Sequence, residues 1–179
     1  EAHRFLLAWS YLLPVPFVIW LVIAGHSFVS ALVLLGCLFF VIAYSAKGLR
    51  FKEIPVLESI TSSLHFVGPL IYALSLVGWP AIATPIVIAF FLWGMASQSL
   101  GAVQDIIADR EAGIKSIATV FGARITLFFS LSCYLLACIL LWSLGGLAIP
   151  LAVLGLIYVA NVLPFMTITN KTAERIRIA

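Results

Sequence analysis

Charge is scarce in this chain. Of its 179 residues, seven are acidic and ten basic, 9% in all, against 64% hydrophobic. So few charges cannot clothe a soluble domain, and no stretch reads as one, as a low-complexity tract or as an internal repeat. Cysteine is sparse too. Cys37, Cys133 and Cys138 lie inside apolar runs with no metal-ligand spacing, which excludes a cysteine-bound zinc site, argues against a disulfide framework and leaves them as packing residues. A secretory signal pattern and an initiator Met are missing. The chain opens on Glu-Ala-His-Arg and closes on the polar run from Asn170 to Ala179, so both ends read as cut from something longer.

What the chain has is long apolar runs. A bilayer is crossed by about 20 apolar residues, and only helices or closed barrels satisfy their backbone there. Barrel strands would alternate apolar and polar residues, and these runs do not. The chain is therefore expected to be all-α, a polytopic transmembrane helical bundle forming a single domain over 1–179. Six spans fall at about 5–24, 28–46, 57–78, 80–102, 123–143 and 147–168. Three connections, Gly25-His26-Ser27, Gly78-Trp79-Pro80 and Ser143-Leu144-Gly145-Gly146, carry no Asp, Glu, Lys or Arg. Every charge falls in the other connections and at the two ends, and the positive-inside rule makes that side cytoplasmic. Trp20, Trp79 and Trp142 mark the opposite interface. The protein is expected in the cell membrane with its working loops in the cytoplasm. A net charge of +3 describes loops beside an anionic leaflet and gives no argument for nucleic acid.

Pro14, Pro16, Pro69, Pro85 and Pro164 fall within spans, where they shape helices and can open a cavity. The charged-side loops, Tyr44 to Glu58 and Gln104 to Gly122, are far longer than the turns opposite them. A protein that elaborates one face works on that face.

Asp105 and Asp109 stand one helical turn apart in the second loop, on one face of a helix. Carboxylates held so close repel unless a cation sits beside them. Mg²⁺ takes one or two carboxylates and completes its shell with water and substrate phosphate, so the pair reads as half of a Mg²⁺–diphosphate site. Arg110 and Lys115 are close enough in sequence to contact phosphate oxygens. The competing reading is a solvated loop whose acids balance its bases. In the first loop Lys47, Arg50 and Lys52 could neutralise a leaving diphosphate. Arg50 is the best of them because its planar fork matches phosphate, and Tyr44 could donate a hydrogen bond. Topology alone would also place bases there. His65, among Thr61, Ser62 and Ser63, either lines a substrate pocket or bonds between helices.

Two segments, Tyr44-Ser-Ala-Lys-Gly-Leu-Arg-Phe-Lys-Glu and Gln104-Asp-Ile-Ile-Ala-Asp-Arg-Glu-Ala-Gly-Ile-Lys-Ser, make the chain resemble the UbiA superfamily of intramembrane prenyltransferases. Arg50-Phe-Lys-Glu-Ile-Pro and Ser62-Ser-Leu-His-Phe-Val-Gly-Pro look most like its lycopene elongase branch. The resemblance covers essentially the whole chain. It implies a nine-helix fold around a cytoplasm-facing cavity, of which the six spans would be helices three to eight. It also implies two Asp-rich motifs, of which the second matches Asp105 and Asp109. The first, of N-D-x-x-D-x-x-x-D type, is absent, and this stretch alone is expected to be inactive. By resemblance, Asp105 and Asp109 are catalytic Mg²⁺ ligands. Arg50 and Lys115 would contact the diphosphate and Tyr44 would be a donor in the cavity, while Lys47, Arg110 and His65 stay candidates on the residue reading alone. The implied reaction is Mg²⁺-dependent prenyl transfer from an allylic diphosphate, dimethylallyl diphosphate, to lycopene or a related carotenoid in the lipid bilayer.

Three other readings compete. Another branch of the superfamily prenylates aromatic acceptors in quinone-type biosynthesis. The CDP-alcohol phosphotransferases need D-G-x-x-A-R, and Asp105 is not followed by Gly. A non-enzymatic transporter segment would place ionisable residues at mid-membrane. All seventeen charges lie at the ends of spans.

Overall fold

The computed structural model of the chain describes residues 2–25 and 27–167. The charged tail from Asn170 lies outside the described residues. Six helices are long and apolar enough to cross a membrane: Arg4–Gly25, Phe28–Ser45, Leu57–Val77, Ala83–Gln104, Ala123–Leu144 and Ala148–Phe165. Each lies within a few residues of an expected span.

The first is interrupted. Helix α1 (Ala2–Leu12) stops before Pro14, and α2 (Val15–Gly25) begins after it. Proline lacks an N–H and its ring crowds the preceding turn. The ladder resumes at once, with the Val18 N–H on the Pro14 carbonyl at 2.9 Å. Pro69 lies inside α4 (Leu57–Val77). Pro85 sits in the first turn of α5 (Ala83–Gln104), where no intrahelical donor is lost.

Packing follows chain order: α3 (Phe28–Ser45) against α4, α4 against α5, α5 against α8 (Ala123–Leu144), and α8 against α9 (Ala148–Val162). Two short helices, α6 (Ile106–Glu111) and α7 (Ile117–Phe121), lie between α5 and α8 in sequence. In an apolar solvent helices gain nothing by hiding hydrocarbon, so close approach and interhelical hydrogen bonds hold them. Between α4 and α5, Ser63 Oγ donates to the Phe91 carbonyl at 2.6 Å, Ser62 Oγ to Gln98 Oε1 at 2.9 Å, and Ser59 and Ser99 share a bond of 3.1 Å. Gly94 makes room for this contact: a Cβ there would stand 2.5 Å from Ser63 Oγ. Ser130 on α8 donates to the Ala96 carbonyl on α5 at 2.9 Å. The cysteines are free thiols, and Cys138 packs opposite Gly155 across the α8–α9 contact. The outer faces carry exposed Phe17, Trp20, Phe28, Leu151 and many more apolar side chains.

Candidate active site

The site begins where two helices end. Helix α3 stops at Ser45, just past Tyr44, and the chain turns through Arg50, whose φ of 43° is left-handed, into a 3-10 turn at Phe51–Glu53. That turn puts Lys52 inward, half-buried, while Arg50 stays exposed and pairs with Glu53. Helix α5 stops at Asp105, whose φ and ψ of −94° and 4° leave the helical region, and α6 restarts beside it. The Asp109 N–H still bonds the Asp105 carbonyl at 2.8 Å, so the two carboxylates keep their one-turn spacing across the break. Fully buried Ile106 anchors the new helix.

Both segments border one cleft of about 280 Å³. It is lined by Tyr44, Lys52 and Glu53, by Asp105 and Asp109, by Gln98 and Gly101 from α5, and by Glu58 from α4. The ends of α3 and α5 therefore lie together, on the same end of the bundle. Gln98 is held by Ser62, and a Cβ on Gly101 would meet nothing within 4 Å, so the missing side chain keeps the cleft open there. Glu58, only 2% exposed, accepts a hydrogen bond from the Ile117 N–H.

Lys52 faces four acids around the cleft, so the field favours a cation. Burial pushes the Asp109 carboxyl above its usual range, the Ser116 side chain pulls it back, and the charge of Asp105 pushes it up again. Among the described residues no three His, Cys, Asp or Glu side chains form a metal-holding group. The donor set is a carboxylate pair opening on a cleft with space opposite, which fits Mg²⁺, since that ion uses one or two protein carboxylates and keeps the rest of its shell for water and phosphate.

Of the other residues singled out in the sequence, Lys47, Arg50, Arg110 and Lys115 are exposed and do not border the cleft. Lys115 follows Ile114, which does. His65 lies behind the site: its Nδ1 meets the Thr61 carbonyl at 2.6 Å and its ring packs edge-on against Tyr44, with centroids 5.1 Å apart. Gln98, Gly101 and Glu58 were not foreseen. Gln98 and Gly101 precede Asp105 by seven and four residues, the helical spacing that would have found them.

A model of the UbiA prenyltransferase family matches residues 3–177. The C(50) β-cyclic carotenoid biosynthesis protein of Dietzia sp. is 45% identical over 185 residues, covering 97% of this chain and 40% of that protein. The lycopene elongase/hydratase of Corynebacterium glutamicum is 44% identical over 177 residues, covering 98% of this chain and 61% of that protein. That of Haloferax volcanii is 32% identical over 148 residues, covering 79% and 45%. The chain thus spans between about two fifths and three fifths of the length of these three relatives. No solved structure is significantly similar.

Proposed function

Because the chain belongs to the UbiA prenyltransferase family and is an integral membrane protein, we propose that it forms the diphosphate-binding part of a carotenoid-elongating prenyltransferase. The donor is an allylic diphosphate, dimethylallyl diphosphate. The acceptor is lycopene or a related carotenoid, which follows the names of the similar proteins. The membrane is the cell membrane, with the charged connections on the cytoplasmic side. One observation carries the reading: Asp105 and Asp109 meet Tyr44 and Lys52 in a single cleft.

Asp105 and Asp109 would hold Mg²⁺, which when bound supplies Lewis-acid stabilisation of the leaving diphosphate. Lys52, which borders the same cleft, neutralises diphosphate oxygens, and the Tyr44 hydroxyl donates to them, its ring braced by His65. The carbon–oxygen bond breaks with its electron pair on the diphosphate. The allylic cation left behind is captured by a terminal double bond of the acceptor, forming a carbon–carbon bond. The new cation is discharged by loss of a proton or by addition of water.

The test is product formation from labelled dimethylallyl diphosphate and lycopene by the full-length protein, with Mg²⁺ present or chelated. Asp105→Asn and Asp109→Asn keep the shape of the carboxylates and remove their charge. Each is expected to lower the rate by orders of magnitude, about 1.4 kcal/mol of barrier per factor of ten. Near-wild-type rates in both variants, or indifference to chelation, would remove the pair from the mechanism.

A further inference from the structure

The acids around the cleft are not equivalent. Glu53, Glu58, Asp105 and Asp109 border it. Glu53 is paired with Arg50. Asp105 and Asp109 are the metal ligands of the proposed function. That leaves Glu58, in the first turn of α4 and 2% exposed. Lys52 borders the same cleft, but among the described residues the ion pair is Arg50 with Glu53, and Lys52 is not tied to Glu58. One Glu58 oxygen accepts from the Ile117 N–H, and the other meets no donor among the described residues. A carboxylate held at one oxygen and free at the other is oriented and still able to accept a proton.

Its depth along the bundle matters. Helices α4 and α5 run in opposite directions, with Ser59 bonded to Ser99 and Ser63 to the Phe91 carbonyl. Glu58 therefore stands level with residues 100–102 of α5, of which Gly101 and Ala102 line the cleft. Asp105 lies about 5 Å nearer the charged end, at 1.5 Å of rise per residue. A donor whose diphosphate is held at Asp105 and Asp109 has its apolar end directed into the membrane, which brings its reacting carbon to the level of Glu58.

The reaction ends with a proton to remove. Attack by the acceptor double bond leaves a cation on the neighbouring carbon. Either a C–H bond beside that cation breaks and its electron pair forms a new double bond, or water adds and the resulting oxonium loses an O–H proton. Each course releases one proton. Lys52 is already protonated, and the Tyr44 phenol is a poor base. We propose that Glu58 is the catalytic residue that takes this proton, on the oxygen not held by Ile117. The proton passes to water as product leaves, which restores the carboxylate. The proposal rests on the reading of the cleft as the site of prenyl transfer.

The experiment uses the full-length protein in lipid nanodiscs with Mg²⁺, labelled dimethylallyl diphosphate and lycopene. Diphosphate release and the identity of the coupled product are followed separately. Glu58→Gln keeps an oxygen for the Ile117 N–H and removes the base. Because the proton leaves after the donor has ionised, Glu58→Gln is expected to release diphosphate at nearly the wild-type rate. The wild-type product should fall about 100-fold or more, the ordinary contribution of a general base, with isomeric products in its place. Mn²⁺ affinity, read by electron paramagnetic resonance, should stay at the wild-type value. Glu58→Asp retains a base, set back by one methylene, and should form the wild-type product more slowly. Wild-type product from Glu58→Gln at the wild-type rate, a parallel loss of diphosphate release and product, or weakened Mn²⁺ binding overturns the proposal. If Glu58→Gln does not fold, Glu58→Asp decides: slower product with unchanged diphosphate release supports the base, and an unchanged product rate overturns it. No coupled product from the unmutated protein overturns the reading of the cleft itself and the proposal with it.

Discussion

Asp109 carries a conflict that a cation resolves. Burial raises its pKa above the ordinary 3.8, the Ser116 side chain lowers it, and Asp105 raises it again, with a net upward shift. A folded-state pKa above the unfolded one stabilises the fold below the unfolded value, and that contribution is lost as pH rises through the folded one. Above that raised pKa the metal-free protein therefore bears an ionised Asp109 at a cost. Without metal, Asp109→Asn is expected to melt above wild type at pH values above it, with the gap closing as pH falls through it towards the unfolded value. Added Mg²⁺ should raise the melting temperature of wild type and not of the variant. Melts at two pH values with and without Mg²⁺ check both statements. Lys52 is the cation that borders the cleft, whereas Lys47 is exposed and does not. A charge-assisted hydrogen bond contributes about 1.5–3 kcal/mol, so Lys52→Ala should raise KM for the allylic diphosphate by about tenfold or more. Lys47→Ala should leave it nearly unchanged, and steady-state kinetics on both variants decides. Residue choice within this loop was beyond the sequence. Which base turns inward depends on the left-handed Arg50 and the 3-10 turn after it, and Arg50 spends its fork on Glu53.

Between helices, two glycines of α5 act in opposite ways. A Cβ on Gly94 would lie 2.5 Å from Ser63 Oγ and 3.1 Å from Ser63 Cα, so α4 must move to accept it. Gly94→Ala is expected to cost about 1–3 kcal/mol, as overpacking does. Gly101→Ala meets no atom within 4 Å, should leave stability unchanged, and should lower turnover by filling the cleft. Melting temperature and rate, measured together on both, separate the roles. The six spans were legible because each is a long apolar run bounded by turns or charges. Helices α6 and α7 were not: six and five residues hold too little of the helical period to register. Glu58 was read as one more acid on the charged side, because its value lies in a contact with a residue 59 positions away. His65 behind Tyr44 was equally hidden, since only the packing of α3 on α4 brings the two rings together.

Across the whole molecule, the charged connections should open to one compartment. Single cysteines at Lys47 and Glu111, in a background without Cys37, Cys133 and Cys138, should react with a membrane-impermeant maleimide from the cytoplasmic side only, and one at Ser143 from the other side only. Labelling of Lys47→Cys and Glu111→Cys from opposite sides would contradict the shared cleft. The serine bonds between α4 and α5 bear on a different property, the heat capacity of unfolding. In water that quantity is large and positive because separated surfaces expose hydrocarbon to solvent. Here the outer faces are already apolar, and pulling α4 from α5 in a bilayer exposes hydrocarbon to lipid chains, leaving the bonds of Ser59, Ser62 and Ser63 to be broken. Helix separation should therefore show a nearly temperature-independent enthalpy and a nearly straight stability curve, without the low-temperature downturn of a water-soluble domain.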